Sequence, residues 1–336
     1  MKGDADVGQE RTQEVSPGLA ATPAMGNVTI DSREKASAGP TPLSRLADGP
    51  VPRPRSLWTD AWRRLSKNRL AVAGLVVVVV FIVAATLAPL LAPYTQSEVV
   101  DVRLARKGPS WLWPFGLDQN GRDIWSRVLY GARVSLLVGV VSQIIVLAIG
   151  VPIGAVAGYF SGTVDNLLMR FVDVFYAVPQ LLLVMIFLNL FGPGLLNIFL
   201  GIGLVSWVTI ARLVRGQFLS LREAEYVNAA RISGAGSRYI MFRHLLPNSL
   251  TPIIVAVTFG IPTAIFTEAA LSFVGVGINP PQASWGQMVG VGTDTGLVQA
   301  SPHILLFPVA AIALTMLGFT FLGDGLRDAL DVRSKE

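Results

Sequence analysis

Two residue types that commonly carry bond chemistry or bind metals, cysteine and histidine, are absent or scarce in this 336-residue chain. Cysteine is absent, and the two histidines, His244 and His303, are too few for a histidine-rich metal site. No Gly-Lys dipeptide occurs, which excludes the Gly-Lys-Ser/Thr loop that binds nucleotide phosphates. The sequence therefore predicts a protein that is not an enzyme and that holds no cofactor or metal of its own.

Two features of the sequence could serve another function. One is a polar, basic segment with several glycines, YVNAARISGAGSRYIMFRHLLP, which runs from Tyr226 to Pro247 between two long apolar runs. The other is Glu268, a carboxylate inside an apolar run, where an ionisable side chain is by default a functional candidate. Glu268 could contact a transported solute, or it could be a structural hydrogen-bond partner for a neighbouring helix.

The composition of the chain indicates which kind of secondary structure holds these residues. The chain is 52% hydrophobic and only 15% charged, whereas a soluble domain carries about 25% charged residues. Several apolar runs approach or exceed the roughly 20 residues that cross a bilayer, and they lack the alternation of barrel strands. We therefore expect an all-α integral membrane protein with six spans. The expected spans are residues 70–91, 134–158, 171–190, 195–214, 250–271 and 304–322.

The distribution of basic residues predicts the orientation of these spans. A basic cluster from Arg53 to Arg69 precedes the first span, which places its start and both chain termini in the cytoplasm. The segment 226–247 is then cytoplasmic, while the loop between the fifth and sixth spans has no Lys or Arg and suits the outside. One segment argues against this topology, because the predicted outer loop after the first span is also basic. Its basic residues are Arg103, Arg106, Lys107, Arg122, Arg127 and Arg133. The net charge of +5 is attributed to orientation rather than to nucleic-acid binding.

The chain divides into four segments. Residues 1–55 are poor in aromatic residues and predict a disordered cytoplasmic tail. Residues 56–132 contain an amphipathic surface helix, the first span and an outer loop. Residues 133–324 form a five-helix transmembrane domain, and residues 325–336 form a cytoplasmic tail. Within the third span, Asp173 follows Arg170 by three residues, which predicts a local helix pair.

The polar segment is expected to fold as two short helices at an angle. The first, from Glu223 to Ile232, presents the small side chains of Ala229 and Ala230, so that another surface can approach closely. The Gly-Ala-Gly-Ser sequence breaks this helix, and Ser237 is expected to cap a second helix that ends near Pro247. The alternatives for this segment are a docking element and an ordinary basic loop.

The spacing of this segment resembles the EAA loop of type I ABC importer permeases. That motif reads Glu-Ala-Ala, three residues, Gly, nine residues, Ile, one residue, Leu-Pro. Asn228 replaces the motif's Glu and His244 replaces its Ile. The resemblance implies that the segment, at about 223–247, forms coupling helices that dock in a cleft of an ATP-hydrolysing subunit. The coupling residues that it implies are Tyr226, Asn228, Ala229, Ala230, Arg231, Gly234, Ala235, Leu246 and Pro247.

Four further blocks resemble the second permease subunit of the dipeptide/oligopeptide branch of this family. They are GLDQNGRDIWSRVLYGARVSL, YFSGTVDNLLMRFVDVFYAVP, EAALSFVGVGINPPQASWGQM and LGDGLRDALDVR. The resemblance covers the chain from about residue 56 and implies the type I permease fold in a bacterial plasma (inner) membrane. Implied partners are a homologous permease, two ABC ATPase subunits that hold ATP and Mg, an extracytoplasmic substrate-binding protein and membrane lipid.

The resemblance leaves the roles of single residues and the solute as expectations. Glu268 is the candidate for the translocation path, and interface candidates are Arg122, Asp123, Asp324 and Arg327. Di- or oligopeptides are the expected solutes, with nickel complexes, glutathione or another small solute as alternatives. An ATP-independent channel or secondary transporter is a more distant alternative, because the middles of the spans are nearly free of charge. An intramembrane enzyme lacks a plausible catalytic dyad.

Overall fold

The computed structural model describes residues 57–293 and 295–330. The predicted tail 1–55 and the last six residues lie outside this part of the chain. Within the described ranges the protein is helical and contains no strand, apart from one isolated bridge between Leu117 and Asp123. Five helices there are long and apolar enough to cross a membrane, and the number is six if a helix pair bent by 80° is counted as one span.

The helices are numbered here in chain order. The first six are α1 (Leu57–Leu65), α2 (Arg69–Thr86), α3 (Ala88–Leu91), α4 (Ile124–Phe160), α5 (Gly162–Tyr176) and α6 (Gln180–Phe191). The next four are α7 (Leu195–Leu221), α8 (Glu225–Ile232), α9 (Ser237–Ile240) and α10 (Leu246–Phe273). The last three are α11 (Trp285–Gly292), α12 (Thr295–Ala300) and α13 (His303–Leu330). The spans are α2, α4, the α5–α6 pair, α7, α10 and α13.

The second span, α4, begins ten residues before the predicted start at 134. Asp123 caps it, since its carboxylate accepts hydrogen bonds from the Ser126 amide at 2.8 Å and the Ser126 hydroxyl at 2.6 Å. Ser126 and Arg127 are buried although they are polar. Their polarity made this helical turn resemble a loop in the sequence, and the prediction of a loop here was wrong.

The third span is broken rather than continuous over residues 171–190 as the sequence predicted. Helices α5 and α6 meet at an angle of 80° around Ala177–Pro179. Proline lacks an amide hydrogen and disfavours helical geometry in the residue before it, so Pro179 ends one helix and starts the next. The start of α6 is exposed, and the Gln180 amide there donates a hydrogen bond to the Ser206 hydroxyl of α7.

Two ion pairs join α5 to α7. The Arg215 guanidinium forms a two-pronged contact with Asp165, with nitrogen–oxygen distances of 2.5 and 2.7 Å. Asp173 pairs with Arg212 at 2.6 Å, and the Arg212 guanidinium also lies 3.9 Å from the centre of the Tyr176 ring. The predicted local pair between Arg170 and Asp173 was wrong, because Asp173 faces the neighbouring helix α7.

Glycines bring the backbones of α4 and α7 into contact. Gly150, Gly154 and Gly158 recur at every fourth position of α4 and face α7. A Cβ atom at Gly154 would overlap the carbonyl oxygen of Ala211, and one at Gly158 would lie 2.7 Å from the carbonyl oxygen of Arg215. Small residues at this spacing allow close packing of membrane helices, and here they make a tight α4–α7 pair.

The last helix continues past the predicted end of the sixth span at residue 322. Helix α13 extends to Leu330, and its cytoplasmic end packs on α1 through a small apolar cluster. The buried members of the cluster are Ala61, Leu65, Ala71 and Ala329. The sequence predicted a tail from residue 325, but residues 325–330 continue the helix. Asp324 and Arg327 are exposed on this part of the helix.

The outer segment between α3 and α4 folds as a compact knob. The Arg127 guanidinium is 3.6 Å from Asp118 and donates hydrogen bonds to Gln287 Oε1 at 2.8 Å and to the Gln96 carbonyl oxygen at 3.3 Å. The Lys107 ammonium lies 4.9 Å from the centre of the Trp113 ring. These two basic residues therefore have internal partners, which accounts for part of the positive charge on the predicted outer side.

Cysteine labelling in the natural cysteine-free background tests the predicted orientation. Ser237→Cys is expected to react with a membrane-impermeant maleimide only from the cytoplasmic side, and Gln282→Cys only from outside. Both side chains are exposed, whereas nearby Ser284 is fully buried and unsuitable for labelling. Reversed labelling of the two positions in right-side-out and inverted vesicles would contradict the predicted topology.

Candidate coupling segment and polar cavity

Residues 223–247, named here the coupling segment, connect α7 to α10. Helix α8 ends at a turn in which Gly234 has a φ of +82°. The amides of Gly234 and Ala235 donate hydrogen bonds to the carbonyl oxygens of Arg231 and Ala230, both at 3.0 Å. A positive φ favours glycine, and this turn sets the angle between α8 and α9.

The second half of the coupling segment differs from the prediction. Ser237 does not cap α9 but is its first residue, and it follows Gly236. The helix does not end near Pro247 either: a π-helical turn, Met241–Leu245, leads directly into α10. Pro247 lies in the first turn of α10, where a missing amide hydrogen is tolerated. The coupling segment is thus continuous with the fifth span.

Buried apolar residues fix the coupling segment to the inner ends of the spans. Val227, Ile240 and Leu245 pack in one cluster with Val214 and Phe218 of α7. All five side chains are essentially inaccessible to solvent. Both halves of the segment therefore share one apolar core with the end of α7.

The opposite face of the coupling segment is exposed. Tyr226, Ala229, Arg231 and Gly234 are exposed, and Ile232 has 87% of its surface accessible. Pro247 is also exposed, whereas Asn228, Ala230, Ala235 and Leu246 are half-buried. The small side chain of Ala229 on this face leaves room for another surface to approach closely.

The two positions that depart from the EAA motif have local roles. The Asn228 amide oxygen accepts a hydrogen bond from Arg231 Nη1 at 3.0 Å, and its nitrogen donates to the Glu223 carbonyl oxygen at 3.4 Å. The His244 ring lies between two tyrosines, with centroids 6.2 Å from Tyr226 and 5.5 Å from Tyr239. This aromatic contact joins the two halves of the segment, and the sequence motif gave no sign of it.

A partly open cavity of about 200 Å³ lies among α4, α6, α7 and α10, and we name it the polar cavity for five polar residues in an otherwise apolar lining. Its polar lining residues are Gln143, Gln180, Ser206, Thr209 and Thr263. The Gln180 amide donates to the Ser206 hydroxyl at 2.6 Å, and no charged side chain is among the residues that line this cavity. The sequence analysis did not identify this site, because it considered only charged residues within the spans. Gln143 and Gln180, which lie in apolar runs, were the available signal.

Glu268 lies outside the lining of this cavity and is fully buried. Its carboxylate accepts hydrogen bonds from the hydroxyls of Ser272 at 2.8 Å and Ser284 at 2.7 Å, and from Ser135 at 3.5 Å. These serines belong to α10, to the cap of α11 and to α4. The surroundings match the structural alternative for Glu268, and a direct contact with solute stays a prediction.

The four interface candidates lie at opposite ends of the chain's spans. Asp123 is 2% exposed and caps α4 within the same subunit, and the neighbouring Arg122 is half-buried. Asp324 and Arg327 are exposed near the cytoplasmic end of α13. Contacts of these residues with other subunits stay predictions.

Comparisons with known proteins agree with this geometry. The family model described as "binding-protein-dependent transport system inner membrane component" matches residues 150–336. The model described as "N-terminal TM domain of oligopeptide transport permease C" matches residues 56–109. Together these two models match most of the chain after residue 55.

Similar proteins include permeases with different named solutes. The dipeptide transport system permease protein DppC of Bacillus subtilis is 44% identical over 291 residues, covering 86% of this chain and 89% of that protein. The oligopeptide permease OppC of the same organism is 41% identical, covering 84% and 91%. The glutathione transport system permease protein GsiD of Pectobacterium atrosepticum is 40% identical, covering 86% and 97%.

A solved structure shares the fold. The inward-facing MetNI methionine ABC transporter contains a chain that superposes with a TM-score of 0.51 at 20% sequence identity. The match covers 62% of this chain and 97% of that one. At this identity the similarity concerns the fold alone.

Proposed function

This chain belongs to the family of binding-protein-dependent transport system inner membrane components, and from that premise we propose that it imports di- or oligopeptides. As a member, it is a membrane-embedded permease subunit of an ABC importer, and ATP hydrolysis belongs to separate subunits. The identity of the solute, the location of the translocation path and the face that docks on the ATPase are proposals.

The polar cavity is the observation that carries the peptide assignment. Its amides and hydroxyls come from α4, α7 and α10 and from the first residue of α6, and Gln180, Thr209 and Thr263 are exposed on this chain. Neutral groups of this kind can exchange hydrogen bonds with the amides of a peptide backbone, whatever the side chains. The lining offers no charged group that would select a metal complex or a fixed ionic solute. We therefore assign the translocation path to this cavity.

The coupling segment supports the proposed link to ATP hydrolysis. Its exposed face would dock on an ABC ATPase subunit that holds ATP and Mg, while its buried face is packed on α7. A second, homologous permease would complete the path, and an extracytoplasmic substrate-binding protein would deliver the peptide. ATP can drive transport only if the docked ATPase dimer binds it differently in the two permease states.

Reconstitution tests the proposed solute. Vesicles are prepared that contain the permease, its homologous partner, both ATPase subunits and the binding protein. ATP is supplied either inside or outside these vesicles. We expect ATP-dependent uptake of a radiolabelled dipeptide or pentapeptide that exceeds the uptake of glutathione and of a nickel complex. Preferred uptake of glutathione, which the GsiD relatives transport by name, would replace the peptide assignment. Uptake without ATP would contradict the ABC mechanism.

The path assignment predicts the effect of removing one polar group. Thr209→Val keeps the shape of the side chain but removes a hydroxyl that lines the cavity. Loss of one hydrogen bond of about 1 kcal/mol lowers peptide uptake at subsaturating concentration about fivefold. Thr258→Val is the matched control, because the Thr258 hydroxyl bonds the Ile254 carbonyl of its own helix and lies outside the lining. Equal uptake by both variants would place the path elsewhere.

A further inference from the structure

A second cavity, of about 390 Å³, lies beside the coupling segment at the inner ends of the spans. Its walls are formed by α4, by the end of α7 and by the turn that joins α9 to α10. The apolar lining includes Val151, Ala155, Phe160, Phe218, Met241 and Phe242. We name it the inner groove. It is separate from the polar cavity, because no residue lines both.

The inner groove lies where two of the membrane-spanning helices, α4 and α10, end and begin. Phe160 is the last residue of α4, and Leu246 is the first residue of α10. Phe160 and Phe242, which have 52% and 68% of their surfaces exposed, flank the groove. An apolar groove at this depth is accessible to the acyl chains of the inner leaflet.

The polar lining of the inner groove is confined to Ser237 and Arg238. Arg238 is exposed and has no ion-pair partner among the residues that the structure describes, and Arg243 is a second exposed cation on the same segment. The nearby acidic residues of the coupling segment are Glu223, which pairs with Arg222 at 2.8 Å, and the exposed Glu225. An apolar groove with an unpaired guanidinium complements a molecule with a hydrocarbon chain and a phosphate.

We propose that the inner groove binds an anionic phospholipid of the inner leaflet. One acyl chain lies between Val151, Phe160 and Phe242, and the phosphate accepts hydrogen bonds from Arg238 and Ser237. Guanidinium groups bind phosphate through paired N–H donors, and basic pockets at cytoplasmic helix ends suit anionic headgroups. The lipid contacts α9 and the π-helical turn, so that it supports the second half of the coupling segment. This inference does not depend on the identity of the transported solute.

Photo-crosslinking tests the proposed lipid site. The full-length chain is placed in nanodiscs that contain phosphatidylcholine, phosphatidylglycerol and a trace of phosphatidylglycerol with a diazirine in one acyl chain. Mass spectrometry measures the label on peptides that cover 151–160 and 237–246. The label on the lipid-exposed face of α2, which includes Val76 and Val80, is the internal reference.

We expect Arg238→Gln to lower the groove label, relative to α2, about fivefold, in line with the contribution of one arginine near an anionic surface. Arg238→Lys keeps the charge and is expected to restore most of the label. Arg69→Gln removes an exposed arginine at the start of α2, away from the groove, and leaves the groove label unchanged.

Three results would overturn the proposal. The first is equal groove label in wild type and Arg238→Gln, and the second is equal label from a phosphatidylcholine probe. The third is loss of the groove label when ATPase subunits are bound to the chain, because the groove would then be a protein-docking surface. Each variant is checked by size-exclusion chromatography, so that a folding defect is recognised separately.

Discussion

Replacing Gly234 with valine is expected to abolish most substrate-stimulated ATP hydrolysis and peptide uptake, with normal insertion in the membrane. Gly234 has a φ of +82°, which costs an L-residue about 1–2 kcal/mol and a β-branched residue more. The turn relaxes by changing the angle between α8 and α9, and the exposed face of the segment no longer fits its partner. We expect both activities to fall at least about tenfold, which corresponds to about 1.4 kcal/mol of lost docking free energy.

Gly236→Val is the matched control for this variant. Gly236 lies two residues away in the same turn, is equally exposed and has open space around it, but its φ is −69°. Valine adopts that conformation without strain, so Gly236→Val should keep near wild-type coupling. Hydrolysis, uptake and co-purification of the ATPase are measured on both variants. Wild-type activity of Gly234→Val would show that the coupling segment is only a basic loop.

Replacing Glu268 with leucine is expected to destabilise the subunit, so that the membrane contains much less folded protein. The change takes away the acceptor for three serine hydroxyls in a site that water does not reach. Each serine oxygen keeps a hydrogen bond from a backbone amide, but its hydroxyl hydrogen loses its acceptor. A buried donor without an acceptor costs about 1–3 kcal/mol, so the total is about 3 kcal/mol or more. That is a large fraction of the stability of a typical folded protein. Thermal unfolding in detergent, followed by size-exclusion chromatography, measures the loss.

Glu268→Gln separates a structural role from a contact with solute. Glutamine still accepts hydrogen bonds from Ser272 and Ser284, so the unfolding temperature is expected to stay near that of wild type. Uptake should then also remain near wild type, since Glu268 does not line the polar cavity. A stable Glu268→Gln variant with strongly reduced peptide uptake would instead assign Glu268 to the path.

The sequence predicted the class of fold because long apolar runs have few interpretations. It did not predict where helices bend or begin, since those features depend on single contacts. Pro179 breaks the third span, but Pro152, Pro252 and Pro262 lie inside helices that continue. The start of α4 was missed because Ser126 and Arg127 look like loop residues until Asp123 and Gln287 supply their partners.

The helix break at Gly234 was predictable from the sequence, whereas the second half of the coupling segment and the polar cavity were not. Gly234 and its neighbours lie close together in sequence, so their spacing preserves a recognisable motif. The cavity is assembled from residues on four helices, among them Gln143, Gln180 and Thr263, and no short spacing relates them. The π-helical turn is also absent from the motif, because it depends on how α9 joins the proline-containing start of α10.

The glycine contact between α4 and α7 has a mechanical consequence. The backbones of α4 and α7 touch through Gly150, Gly154 and Gly158, so sliding of one helix along the other would cause steric overlap. We therefore expect the pair to move as one rigid rod. The inner end of the rod carries the coupling segment, and its outer end begins at the Asp123 cap beside the knob. We therefore expect a tilt imposed on the coupling segment to move the outer end of α4 as well, because both are attached to the same rigid helix pair.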